Sequence, residues 1–296
     1  MARAANVGNR SRFTDVYNEP VDRLLSPIKG YQSKPLVSLM EAIQLVSGFF
    51  HEIEDNVKVA LHNCRNQVDK LTQQESASIH LYTMQFDDGP SLYQVLNESL
   101  RAENREDLKP WFSYLKLLLT ALYKLPSEKK RVWRGIRNVD LSEKYRVNTE
   151  FAWWGVSSCT ADMQVLESNQ FLGKEGLRTL FSIDCINGKS IAAHSYFKNV
   201  EQEFILMPGS YFQVIGQLTP GGGLHIIELK EITPPMTLVK PPFSQTDQQE
   251  TASVVSKPNA SASSIASEPT SAATLASSAS TSSENSLKSK ISLTFS

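Results

Sequence analysis

The feature that most constrains the fold of this chain is a change of hydrophobic period near Pro126. Before it, Leu36, Leu39, Met40, Ile43 and Val46 recur at intervals of three and four, as do Trp111, Phe112, Leu115, Leu118, Leu119 and Leu122. Each set draws one apolar stripe along a helix. Thr72 with Glu75, and Ser91 with Gln94, match the capping box, in which two side chains satisfy free backbone N–H groups. Pro110 suits a first helical turn, and Asp87-Asp88-Gly89-Pro90 reads as a turn ahead of the second box. After Pro126 the apolar and β-branched residues gather in short runs: Arg131 to Ile136, Arg178 to Asp184, Glu203 to Met207, Tyr211 to Gln217 and Leu224 to Ile232. Pro208-Gly209 and Thr219-Pro220-Gly221-Gly222-Gly223 separate the last three, which predicts an antiparallel meander. Helices first and strands afterwards give an α+β fold, a helical subdomain packed on an antiparallel-rich β core.

The expected organisation is an N-terminal extension over residues 1–34, a helical subdomain over 35–125, a catalytic β core over 126–240 and a tail over 241–296. Ser, Thr and Ala make up 26 of the 40 residues 251–290. That leaves too few large apolar groups to offset the entropy of ordering, so the tail is expected to be disordered. Thirty basic and 31 acidic residues give a net charge of −1, which offers no overall field for nucleic acid or anionic membranes. No nucleic-acid partner is expected. The first twenty residues lack a secretory apolar core, and no run reaches the length of a membrane span. The default expectation is a cytoplasmic monomer, with export left open. On that default the sequons at Asn9, Asn97 and Asn259 carry no information.

Cys64, Cys159 and Cys185 are odd in number and lack C-x-x-C spacing. His51, His62, His80, His194 and His225 show no metal-ligand spacing, so a structural role is expected for each and no metal is called for. Neither G-x-G-x-x-G nor G-x-x-x-x-G-K-[ST] occurs, which argues against Rossmann or P-loop nucleotide binding.

Three short stretches carry chemistry. Glu201-Gln202-Glu203 leads into the apolar run Phe204 to Met207. If the extended backbone reaches back through Glu201, both acids project to one side, an arrangement that calls for positive charge nearby. Alone, an E-x-E is most often a solvated strand end. Arg134-Gly135 ends an earlier run, where a guanidinium can present a planar fork to an anion and a glycine admits a close approach. Ser157-Ser158-Cys159-Thr160 follows the bulky stretch Phe151 to Val156, and a hydroxyl there could fix a carboxylate rotamer. Spacing alone equally allows a strand end and a helix cap at Thr160.

In this order the three resemble the R-S-E signature of arginine-specific mono-ADP-ribosyltransferases. Leu71 to Thr83 looks like the helix preceding the catalytic core of eukaryotic members, and Tyr211-Phe212-Gln213-Val214 like their following strand. The resemblance spans roughly residues 35–232 and implies transfer of ADP-ribose from NAD, or NADP, to arginine on a protein acceptor, with release of nicotinamide. It implies that Arg134 holds the pyrophosphate, with Gly135 giving room beside it, and that Ser157 orients Glu203. Glu203 would bond the nicotinamide ribose and stabilise the developing oxocarbenium ion. Glu201 would receive the guanidinium, and Phe171 would stack on nicotinamide. Where the family commonly has Ser-Thr-Ser, this chain has Cys159 at the third position, a poorer donor. Two alternatives stand beside transfer: NAD hydrolysis in the same site, and a non-catalytic nucleotide-binding interaction module.

Overall fold

The change of period falls where the secondary structure changes: the last long helix ends at Lys124 and the first strand begins at Glu128. The computed structural model describes residues 15–168, 171–198 and 202–243. Glu201, the sequons at Asn9 and Asn259 and the Ser/Thr/Ala-rich tail lie outside them. All the described residues belong to one compact unit.

Among the described residues five α-helices precede the sheet: α1 (Leu39–Ile43), α2 (Ile53–Asn63), α3 (Gln73–Thr83), α4 (Leu92–Arg101) and α5 (Phe112–Lys124). Thr72 Oγ1 accepts from Glu75 N while Glu75 accepts from Thr72 N, the box read from sequence. The second box forms as well: Gln94 closes onto Ser91 N, and Ser91 Oγ, which completes the box, also accepts from Phe86 N. Pro110 sits in a 3-10 turn, Arg105–Trp111, that leads into α5. Helix α3 is buried from Glu75 to Thr83 and so has no solvent-facing side over that stretch. It is the central rod of a core built from Leu39, Ile43, Leu96, Trp111, Leu118 and their neighbours.

The strands are β1 (Glu128–Arg137), β2 (Glu150–Trp153), β3 (Ser157–Thr160), β4 (Arg178–Ser190), β5 (Glu203–Leu206), β6 (Ser210–Gly221) and β7 (Leu224–Glu231), with a one-turn helix α6 (Met163–Leu166) after β3. Their order is β1-β3-β5-β4-β7-β6-β2. Strand β4 also pairs with β1 from Arg178 to Asp184 and beyond, which closes β1, β3, β5 and β4 into a ring. The expected meander of the last three strands is therefore only half right. β6 and β7 form an antiparallel hairpin, and β7 runs parallel to β4, but β5 does not touch β6 in the sheet order. Both edges of the four-residue β5 are taken by β3 and β4, and Gly209, at φ +77°, turns the chain away.

A second core is built from Val132, Tyr145, Trp153, Cys159, Phe181, Phe204 and Phe212, drawn from β1 to β6 and the loop before β2. The segment expected to be an N-terminal extension is tied into the fold. Val16, Leu25, Ile28 and Tyr31 are buried, and Ile28 bridges Val239. Glu19 is buried too. Its carboxylate accepts from Trp154 N and Gly155 N and pairs with Arg101 Nε at 2.6 Å, fixing the bend that feeds β3. From the other side, Asn97 Oδ1 accepts from Val156 N, while Asn97 Nδ2 and the Tyr82 hydroxyl donate to Val156 O. A side chain so used closes the Asn97 sequon to modification in the folded protein.

Candidate active site

Arg134, Ser157 and Glu203 come from three strands adjacent in the sheet, β1, β3 and β5, and all three are fully buried. The register fixes which side chains share a face. Glu203 stands opposite Thr160 and Thr160 opposite Trp133, while Ser158 stands opposite Ile205. Because facing residues of an antiparallel pair point the same way, Glu203, Thr160, Ser158, Trp133 and Gly135 lie on one side. Cys159 opposite Phe204, Ser157 opposite Leu206, and Arg134 lie on the other. The hydroxyls on the side of Glu203 are thus Ser158 and Thr160. Ser157, the residue the resemblance assigns to that task, faces the second core, where its Oγ approaches Gly155 O at 3.5 Å.

Arg134 has no exposed surface. Its Nη1 donates to Ser158 O at 2.8 Å, and the guanidinium lies 6.0 Å from the Trp153 ring. The thiol of Cys159 senses both charges of the site. Burial pushes it up to about 12, the neighbouring Arg134 opposes that rise and Glu203 adds to it. A thiol so raised stays protonated and is no nucleophile.

The backbone just before Glu203 departs from the sequence expectation. Gln202 adopts a left-handed conformation, φ +44°, and the strand starts only at Glu203. Extended alternation therefore does not reach back to Glu201, and the shared-side argument for the two acids fails at Gln202. A non-glycine residue held there is the kind of strain that persists where the surroundings enforce it.

Sequence reasoning missed Ser195. Its hydroxyl donates to Glu203 Oε2 at 2.8 Å, with both groups buried. The loop carrying it is pinned to α3: His80 Nδ1 donates to His194 O, Ser76 Oγ bonds His194 Nδ1, and Tyr196 N donates to Thr83 Oγ1. His194 Nε2 also reaches Asp69 at 3.2 Å. Burial lowers the pKa of His80 and His194, which keeps both rings neutral near pH 7. No short motif marks this arrangement; the one signal was helix α3 itself, a helix with no solvent face.

Gly135 is needed for packing. A Cβ there would lie 2.7 Å from Leu172 Cβ, so the room it provides is filled by Leu172. Phe171, 5% exposed, joins Leu166, Leu172 and Leu180 in a small cluster against Trp133, on Glu203's side of β1.

A family profile described as NAD:arginine ADP-ribosyltransferase matches residues 39–235. The chain belongs to that family. Among solved structures, the ADP-ribosyltransferase HopU1 of Pseudomonas syringae is 19% identical, covering 71% of this chain and 100% of its own, at a TM-score of 0.51. The type III effector XopAI of Xanthomonas axonopodis is 17% identical, covering 69% and 92%, at 0.50. These likenesses bear on the fold. A search of curated proteins finds no match.

As an ADP-ribosyltransferase the chain takes NAD as its substrate. The residues on Glu203's side fit such a ligand. The Ser158 hydroxyl is buried with no hydrogen-bond partner among the described residues, a donor available to a bound ribose. Among the described residues no group of His, Cys, Asp and Glu could hold a metal ion, and no helix is long and apolar enough to cross a membrane.

Proposed function

We propose that this ADP-ribosyltransferase moves ADP-ribose from NAD to the guanidinium of arginine on a protein acceptor. The observation that carries the reading is the buried Glu203 carboxylate, clamped by Ser195 on a face shared with the hydroxyls of Ser158 and Thr160. In this scheme the glycosidic bond between ribose C1′ and the nicotinamide nitrogen breaks, and its electron pair leaves with nicotinamide. The resulting positive charge on the ribose is stabilised by Glu203, which also accepts from a ribose hydroxyl. A guanidine nitrogen then attacks C1′ and loses a proton. Ser158 and Thr160 supply the hydroxyl pair of the middle motif, so that Cys159, on the far side, leaves the chemistry untouched.

Arg134 acts from beneath the sheet: it braces β3 through Ser158 O and sets positive charge behind Glu203, in place of an exposed pyrophosphate clamp. Phe171, beside Leu172 and Trp133, is the aromatic for nicotinamide. Glu201, outside the described residues, is assigned to the acceptor guanidinium.

The test is transfer of labelled ADP-ribose from NAD to agmatine and to an arginine-containing protein, beside matched lysine and cysteine acceptors. Labelling confined to guanidine acceptors supports the reading. Label on lysine or cysteine, or nicotinamide release with no acceptor modified, overturns it, the latter in favour of hydrolysis. Glu201→Gln is expected to abolish arginine transfer while nicotinamide release to water persists.

A further inference from the structure

Strand β5 has a second end. Glu203 lies at one, and about 13 Å further along the chain, at ~3.3 Å per residue, Met207 forms one wall of a cleft of about 760 Å³. The cleft lies between the α5–β1 connection, the end of β4, the β5–β6 turn and residues 232–239. Its size falls within the range of small-molecule sites. Its walls are mixed in polarity, with Tyr123, Ile186, Met207 and Leu238 among the apolar residues.

Lys189 also lines it. This lysine is 6% exposed, and its ammonium donates to Leu125 O at 2.7 Å and to Ser127 Oγ at 3.0 Å. An ammonium has three donors, and both of these acceptors are neutral. No carboxylate among the described residues lies within ion-pair distance of it. The nearby acid, Glu231, is spent: one oxygen accepts from Ile186 N and Asn187 N, the other from Asn187 Nδ2. A buried cation without a counter-charge is costly. The Leu125 carbonyl, at the negative end of α5, offsets part of that cost. Burial depresses the lysine pKa, as expected of an ammonium short of anionic partners.

We propose that this cleft binds a small organic monocarboxylate, its carboxylate on Lys189 and its apolar body against Tyr123, Met207 and Leu238. Glu231 also lines the cleft, so a dianion such as a phosphate monoester meets more repulsion there than a monoanion does. The site is separate from the NAD chemistry at the other end of β5.

The experiment titrates the full-length protein with phenylacetate at constant ionic strength, with amide shifts mapped by NMR. 2-Phenylacetamide serves as the neutral isostere and phenyl phosphate as the dianion. The expected result is saturable shifts at Ile186, Asn187 and Met207 to Tyr211, with the amide and the phosphate at least about tenfold weaker, the worth of one charge-assisted hydrogen bond. Lys189→Met is expected to lose at least about tenfold in affinity and Lys189→Arg to keep most of it. Absence of saturable shifts, equal binding of acid and amide, tighter binding of the phosphate, or shifts confined to the Glu203 side would each overturn the proposal. Should Lys189→Met fail to fold, the acid and amide comparison on wild type decides the matter alone.

Discussion

Replacing Ser195 by alanine removes a single hydroxyl that donates to Glu203 Oε2 at 2.8 Å between two buried residues. A hydrogen bond to a charged group contributes about 1.5–3 kcal/mol, and burial protects it from solvent competition. At about 1.36 kcal/mol per decade of rate, the loss corresponds to roughly 10- to 150-fold in kcat if the bond holds Glu203 where charge develops. NAD binding itself draws on many contacts, so KM for NAD should stay close to wild type. The assay is the initial rate of nicotinamide release at varied NAD with saturating agmatine, beside thermal melting. Melting matters because Ser195 Oγ also accepts from Phe197 N at 3.2 Å, and alanine loosens that turn. Ser195→Thr keeps the hydroxyl and should recover most of kcat. A wild-type kcat in Ser195→Ala, or a change in KM alone, would show that the bond does not position Glu203.

Three further outcomes follow from the same geometry. Ser158→Ala should lower kcat by at least about tenfold while Ser157→Ala leaves it near wild type, since Ser158 shares the face of Glu203 and Ser157 does not; paired rate measurements check this. Glu19→Ala takes an ion-pair partner from the buried Arg101 guanidinium and strips the acceptor from Trp154 N and Gly155 N, so denaturant unfolding should report about 3–5 kcal/mol of lost stability. His80 and His194 have folded pKa values below the ordinary 6.5, chiefly through burial, so the unfolded chain binds protons that the folded one refuses. Their contribution is fully present above pH 6.5 and is lost as pH falls from there toward the depressed folded values. Melting temperature should drop across that window, and His194→Asn should flatten the slope.

Much of the fold was legible in the sequence because periodicity reports burial directly. The stripe around Leu118, the Thr72 box and the strands from Arg131, Arg178, Tyr211 and Leu224 appear where the pattern put them, whereas the stripe around Leu39 is helical only from Leu39 to Ile43, with Leu36 exposed ahead of it and Val46 in a 3-10 turn. What periodicity cannot report is which strands are neighbours. The separation of β5 from β6 depends on β3, a four-residue strand whose small polar side chains carry no strand signature. The site divides the same way. Glu203 and Arg134 stood out as charges beside apolar runs, but the choice between Ser157 and Ser158 is a choice of register, and a one-residue slip reverses every face. Gln202 illustrates the limit: a single residue in the left-handed region cancelled an argument that relied on alternation. Ser195 was invisible because its meaning comes from α3, more than a hundred residues earlier in the chain.

The central claim is that the Glu203 carboxylate stabilises the ribose as nicotinamide departs. Glu203→Gln nearly preserves shape and can still accept from Ser195 while removing the charge. Wild type and variant should be compared for nicotinamide release from NAD, with and without agmatine, alongside NAD affinity by calorimetry. The account predicts that both release rates fall by at least about 100-fold while NAD still binds. Release by Glu203→Gln at a rate near wild type would contradict it.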